Sequence, residues 1–317
     1  MMNEVQPAAG PVTAGERFAS LDRLRGVAIL GILVMNIYAF AMPFIAYVDP
    51  MRMGGTEAYN IGTWMFTHIF FDQKFMSIFA MLFGAGLILM TERAEARGAK
   101  PARFYFRRQF WLIVIGAIHG YLIWMGDILF AYALIGMLVY PLRKRRPRTL
   151  IIIACVMLPV TLLFNLGNAK QMEITMAEVA EIEVLLDEGQ EIDEEQQEVL
   201  DDWKQQRMFA FPTDEDVAHE IDVYRGDYAG IVAHRAPIVA MMSVFMTLFY
   251  GVWRIAPLMM IGMALMKLGV LTGERSVDFY RRFTLITYVV GLPLTVFSAF
   301  DLHAHQFDQM YFMRGGG

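Results

Sequence analysis

Seven stretches of this chain are apolar over lengths that match or approach the span of a bilayer. They are Gly26–Val48, Lys74–Met90, Phe110–Gly126, Asp127–Tyr140, Leu150–Leu166, one within Pro237–Leu271, and Phe283–Phe300. A helix needs about 20 apolar residues to cross a hydrocarbon core. Inside lipid its backbone groups must be bonded internally, so such runs are read as helices. Composition agrees, with 56% hydrophobic and 19% charged residues against about 45–50% apolar in a soluble domain. The expected fold is all-α: a polytopic transmembrane helix bundle of about seven crossings in 317 residues, with a small acidic helical insert outside the membrane.

Basic residues order the crossings. Arg23 and Arg25, the segment Arg93–Arg108, the segment Arg143–Arg148 and the pair Arg281–Arg282 fall on one side if each run crosses once, and the positive-inside rule makes that side cytoplasmic. The segment Asn168–His234 carries 19 of the 32 carboxylates and falls outside. The expected organisation is a cytoplasmic tail (1–16), a first membrane half of about five crossings (17–167), an extracytoplasmic helical insert (168–235), a second membrane half of about two crossings (236–300) and a terminal loop (301–317). The tail lacks a basic n-region, which suits a retained anchor rather than a cleaved signal. Within the insert, Met172, Val179, Ile182 and Leu186 recur near helical spacing, Gly189 is placed to end that helix, and Thr213 with Asp216 resembles a capping box. The acidic run lacks EF-hand spacing and reads as a solvated face.

The stretch Phe110–Tyr140 holds ionisable groups, His119 and Asp127, with Trp124 between them. Such groups are costly in lipid and mark functional candidates. Two full crossings need about 40 residues, and this hairpin has 31, so its turn at Gly126–Asp127 should lie at or inside the outer boundary. Counting rise along each helix places Asn36 roughly level with His119, and Lys74 roughly level with Asp127. These groups are candidates to line one polar cavity in the outer half of the membrane. Each also has a structural reading: His119 and Asn36 as interhelical hydrogen-bonding groups, Asp127 as a helix cap, Lys74 as a snorkelling cation and Trp124 as an interfacial aromatic. His68 and Asp72 stand one helical turn apart, on a segment (Asn60–Phe71) read as interfacial.

Other chemistry is sparse. Gly84 and Gly86 sit in an apolar helix rather than after a strand, so they read as packing glycines. His303 and His305 give a weak metal-like spacing that reads as an exposed loop, and no metal is expected. One cysteine, Cys155, rules out an intramolecular disulfide and a thiolate zinc cluster. The basic clusters need no nucleic-acid partner. The expected partners are the lipid bilayer and a small-molecule substrate.

Several motifs occur in order: Leu21-Asp22-x-Leu24-Arg25-Gly26, Gly31-Ile32-Leu33-x-Met35-Asn36, Lys74-Phe75, Leu82-Phe83-Gly84-x-Gly86, Gly116-x-x-His119-Gly120, Trp124-x-Gly126-Asp127-Ile128-Leu129-x-x-Tyr132, and Leu258-Met259-x-Ile261-Gly262-Met263-Ala264-Leu265. Together they resemble the YeiB-like bacterial inner-membrane proteins, also called domain of unknown function 418, from Arg17 to about Phe300. Family members continue with further membrane helices, so this chain reads as a fragment lacking them. The family is distantly similar to membrane acyltransferases of the heparan-glucosaminide acetyltransferase type. What that implies is acyl transfer from a cytoplasmic acyl-CoA to an outer-side acceptor. Arg25, Arg107 and Arg108 would then meet the CoA phosphates, His119 and Asp127 would be catalytic, and Asn36, Lys74 and Trp124 would bind substrate. Transport or small-ligand binding in a half-membrane cavity is the competing reading. A structural role in an envelope complex, with the insert as contact surface, is the third.

Overall fold

The structure is a computed structural model, and it describes residues 18–313. The expected tail (1–16) lies outside those residues. The helices run α1 (Ala19–Ala41), α2 (Ile45–Val48), α3 (Ala58–Phe70), α4 (Lys74–Ala96), α5 (Pro101–Ile118), α6 (Leu129–Val139), α7 (Pro147–Asp187), α8 (Glu194–Ala210), α9 (Asp214–Arg225), α10 (Tyr228–Phe245), α11 (Ala256–Lys267), α12 (Val277–Ala304) and α13 (Gln309–Met313). Short π-helical segments follow α5 (His119–Ile123) and join α10 to α11 (Met246–Ile255). Among the described residues there is no strand. Five helical stretches are long and apolar enough to cross a membrane: Ala19–Ala41, Ala58–Ala96, Pro147–Asp187, Tyr228–Lys267 and Val277–Ala304. The α5–α6 hairpin is not among them.

Two compact units divide the chain. Among the described residues the first comprises 18–32, 73–161 and 232–283, and the second 33–72, 162–231 and 284–313.

The first unit is organised around α4 and α11. A Cβ placed on Gly84 would collide with the backbone carbonyl of Met259, and one placed on Gly262 would collide with that of Met81. Each helix therefore offers a glycine where the other presents its backbone. Where lipid removes the hydrophobic drive for association, such close approach lets dispersion hold two helices together. Met259, Met260, Met263, Leu82, Leu87 and Ile88 fill the seam and are almost wholly buried. Tyr132 of α6 donates to the carbonyl of Met76 at 3.2 Å, which ties α6 to α4. At the far end of α11, Lys267 Nζ donates to the carbonyls of Arg143 and Arg145 beyond α6.

The second unit is organised around α3 and α12, where Trp64, Ala299, Leu302 and Phe307 form a small buried cluster. Helix α7 runs unbroken through Gly167, so the expected fifth crossing and the first insert helix are one 41-residue element. It ends as its sequence predicts: Gly189 takes φ +75°, and the amides of Gly189 and Gln190 close back on Leu186 and Leu185. The Thr213–Asp216 capping box at α9 is present, and hydrogen bonds from Thr213 hold the Asp216 carboxyl below the ordinary carboxylate range. Asp193 and Gln196 form a second box, at α8. Arg52 bonds the carbonyl of Pro212 and the carboxylate of Asp214, which anchors the segment after α2 to the start of α9.

Gly84→Ala and Gly262→Ala should each destabilise the protein by ~1–3 kcal/mol, the usual range for overpacking. Gly86→Ala should be near neutral, because its methyl would meet only the mobile end of Arg25. Thermal unfolding midpoints in one detergent would separate the two classes, and equal midpoints for all three would count against the seam.

Candidate functional site

Helix α5 carries Gly116 on the face it turns to α6, where a Cβ would strike the backbone of Phe130, and Gly120 in the segment that follows lies against Val239 and Asp127. The two helices therefore close tightly just below the turn. After Ile118 the backbone widens into the π-segment, and the amide of Trp124 bonds the carbonyl of His119 at 2.8 Å. The chain is then extended at Trp124, and α6 starts only at Leu129. The indole of Trp124 lies across Gly126, where any side chain would collide with it. Single π-turns inside helices recur at functional sites because they re-aim one side chain. Here that side chain is His119.

Asp127 uses both carboxylate oxygens. Oδ1 accepts the Phe130 amide at 2.9 Å, which caps α6, and Oδ2 lies 2.8 Å from His119 Nδ1. With the carboxylate ionised and the ring neutral, the hydrogen of that bond sits on Nδ1 and Nε2 keeps its lone pair. Asp127 is 7% exposed and His119 34%, an acid held inside and a base held ajar. One carboxylate thus both caps α6 and contacts His119. The Trp124 ring meets the imidazole edge to face at 6.4 Å.

A cavity of about 140 Å³ lies beside the pair. Gly116, Gly120 and Asp127 line one side, and Val239, Met242 and Ser243 of α10 line the other. Its wall is mainly apolar, with the Asp127 carboxylate and the Ser243 hydroxyl as polar features. His119 is not a wall residue.

The remaining sequence candidates scatter. Lys74 begins α4 as expected but does not line this cavity, and Asn36 falls in the second unit. Arg25 pairs with Asp22 at 3.3 Å. Arg108 lies over the ring of Phe83, Arg107 over that of Phe104. Arg25 and Arg108 are near enough to repel one another electrostatically.

One residue escaped the sequence reading. Arg235 was counted with the acidic insert, but it belongs to α10 and is only 4% exposed. Its Nη1 donates to the carbonyl of Ile123 at 2.9 Å, and Nη2 to that of Tyr121 at 3.0 Å. Those carbonyls end the π-segment, so the cation sits at the negative end of a helix. No local signal marks it, because Pro237, which lies inside α10, reads in sequence as a helix start beyond Arg235.

Comparison with known proteins places these features in context. Over 283 residues, 89% of this chain, it is 32% identical to the uncharacterized protein YeiB of Escherichia coli K12. It is also 38% identical over 150 residues to the uncharacterized protein YxaH of Bacillus subtilis 168. It is a homologue of YeiB and YxaH. A third relative, an uncharacterized 39.9 kDa protein encoded in the amylase 3' region of Bacillus acidopullulyticus, is 32% identical over 148 residues. The matched parts cover 45% and 47% of this chain for the two Bacillus proteins. The chain spans 64% of the length of YeiB, and 36% and 40% of the other two. No family model matches, and no solved structure is significantly similar.

Removing the guanidinium should loosen the turn it holds. Hydrogen bonds from a charged donor are worth ~1.5–3 kcal/mol. Arg235→Gln should therefore raise amide exchange across Leu122–Asp127 by about 10- to 100-fold, with Arg235→Lys intermediate. Hydrogen–deuterium exchange on the full chain in nanodiscs reads this directly, and unchanged protection would show that the clamp does not hold the turn.

Proposed function

We propose that the chain is a YeiB-like protein of the domain-of-unknown-function-418 kind, seated in the bacterial inner membrane with its amino terminus cytoplasmic, and that it transfers an acyl group from a cytoplasmic acyl-CoA to an outer-side hydroxyl acceptor. The single observation that carries the reading is the 2.8 Å bond between His119 Nδ1 and Asp127 Oδ2 in an apolar setting. A neutral imidazole fixed in that tautomer presents Nε2 as a base of ordinary reach. In this reading His119 takes the proton of the acceptor hydroxyl. Asp127 holds the ring in place and stabilises the imidazolium that forms. Trp124 limits water at the ring. Acyl-CoA would supply the activated acyl group as a thioester, with Arg25 and Arg108 toward its phosphates. Arg107, packed on Phe104, has the weaker claim.

The competing reading is binding or passage of a small solute. What favours it is the cavity, which reaches Asp127 but is not walled by His119.

Purified full-length protein in nanodiscs, given acetyl-CoA and a hydroxyl acceptor, should release free CoA thiol. Loss of a general base typically costs 10²–10⁴-fold, so His119→Ala should lower that rate by at least about 100-fold while the protein stays folded. Asp127→Asn, which keeps a cap on α6, should also impair the rate. CoA release that is unchanged in His119→Ala would exclude the base assigned here. Solute binding lost in Asp127→Ala, without any CoA release from wild type, would favour the second reading.

A further inference from the structure

His68 and Asp72 read as one turn of an interfacial helix, and the function proposed above leaves them unused. In the second unit His68 Nδ1 lies 3.3 Å from Asp72 Oδ2, and His68 Nε2 lies 3.4 Å from the hydroxyl of Ser298 on α12. The other oxygen of Asp72 accepts the Tyr47 hydroxyl at 3.3 Å. Trp64 stacks on the imidazole at 4.6 Å with an interplanar angle of 11°. One side of the ring thus faces a carboxylate, the opposite nitrogen faces a hydroxyl, and both acid and ring have their own supports. This is the order of contacts that activates a serine in Ser–His–Asp hydrolases, a constellation recognised by geometry and roles rather than by fold. The 3.4 Å base-to-hydroxyl distance is longer than the ~2.6–3.2 Å of an engaged pair, as such contacts often are before substrate binds.

Two further observations separate this arrangement from a simple bond between helices. A serine in a helix ordinarily returns its hydroxyl to a carbonyl one turn back, as Thr295 nearby does to Leu292. Among the described residues, Ser298 makes no such bond, and its hydroxyl has His68 as its hydrogen-bonding partner. The site also has a surface to receive a substrate. His68 and Asp72 side chains are 16% and 17% exposed, and Ser298 is half-buried rather than sealed. Around Ser298 the outer side of α12 shows Leu294, Phe297 and Phe300, each more than half exposed. Ser298 lies 17 residues beyond Arg281, roughly 25 Å along the helix, so it sits at the end of the span away from the basic pair. A boundary position flanked by lipid-facing side chains fits an ester presented from the lipid phase.

We propose that Ser298 is a nucleophile activated by His68, with Asp72 and Tyr47 as positioning residues, and that its substrate class is a lipid-borne acyl ester. The Ser298 oxygen adds to the ester carbonyl while its proton passes to His68 Nε2. The bond from the carbonyl carbon to the lipid alcohol then breaks, and His68 returns the proton to the departing oxygen. The products are an acyl-serine and a free alcohol. Water or an acceptor hydroxyl regenerates Ser298 by the same two proton transfers in reverse, leaving a carboxylic acid or a new ester. None of this depends on the His119–Asp127 reading, whose test measures CoA release.

The experiment is covalent labelling of the full-length protein in nanodiscs with a long-chain alkyl fluorophosphonate, followed by mass-spectrometric location of the adduct. The expected adduct is on Ser298, absent in Ser298→Ala, and formed about 100-fold more slowly in His68→Ala, in line with loss of a general base. Ser298→Cys preserves the side-chain shape and should move reactivity to a chloroacetamide probe, which keeps the test valid if the alanine variant fails to fold. A wild-type protein without an adduct at Ser298, or labelling equally fast in His68→Ala, would overturn the proposal.

Discussion

A helix that stops among apolar side chains leaves amides at one end and carbonyls at the other that water cannot reach, and each costs several kcal/mol if unbonded. The break between His119 and Leu129 is such a place, and the site depends on how it is closed. Asp127 takes an amide of the helix that begins, and Arg235 takes two carbonyls of the segment that ends. The acid stands at the positive end of one dipole, and the base at the negative end of another. Once Asp127 is fixed by that duty, its second oxygen is free to hold His119. The orientation of the imidazole is thus a consequence of capping.

That arrangement needs a rigid surround. The paired glycines of α4 and α11 bring two backbones together, and Tyr132 carries that framework to α6. Gly116 and Gly120 let α5 lie close enough to α6 for the His119 and Asp127 side chains to meet. Helix α10 supplies Arg235 at one level and the cavity wall of Val239, Met242 and Ser243 one to two turns further on. The cation that closes the break therefore also sets the opposite side of the cavity.

Much of this is legible in the sequence, for identifiable reasons. Apolar runs gave the helical membrane architecture, because length and hydropathy survive any detail of packing. The capping box at Thr213 and the stop at Gly189 were readable because both are local. His119 and Asp127 were found together because eight residues separate them across one short turn. The role of Arg235 is not legible in the sequence because its partners, Tyr121 and Ile123, lie more than a hundred residues away. Asp127 is buried, whereas Lys74 is not among the residues that line its cavity. Rise along a helix fixes height and says nothing of which way a side chain faces. The contact between His68 and Ser298 was illegible for the same reason as that of Arg235: 230 residues separate its partners.

The geometry at Asp127 should hold His119, when neutral, as the tautomer with its proton on Nδ1 and a bare Nε2. Nitrogen NMR on histidine-labelled full-length protein, assigned with His119→Ala and recorded where the ring is neutral, measures that state directly. The account predicts an amine-type Nδ1 and an imine-type Nε2 for His119. A proton on Nε2 with an imine-type Nδ1 would contradict it, since Nδ1 would then have no hydrogen to give to Asp127 and Nε2 no lone pair to offer a substrate.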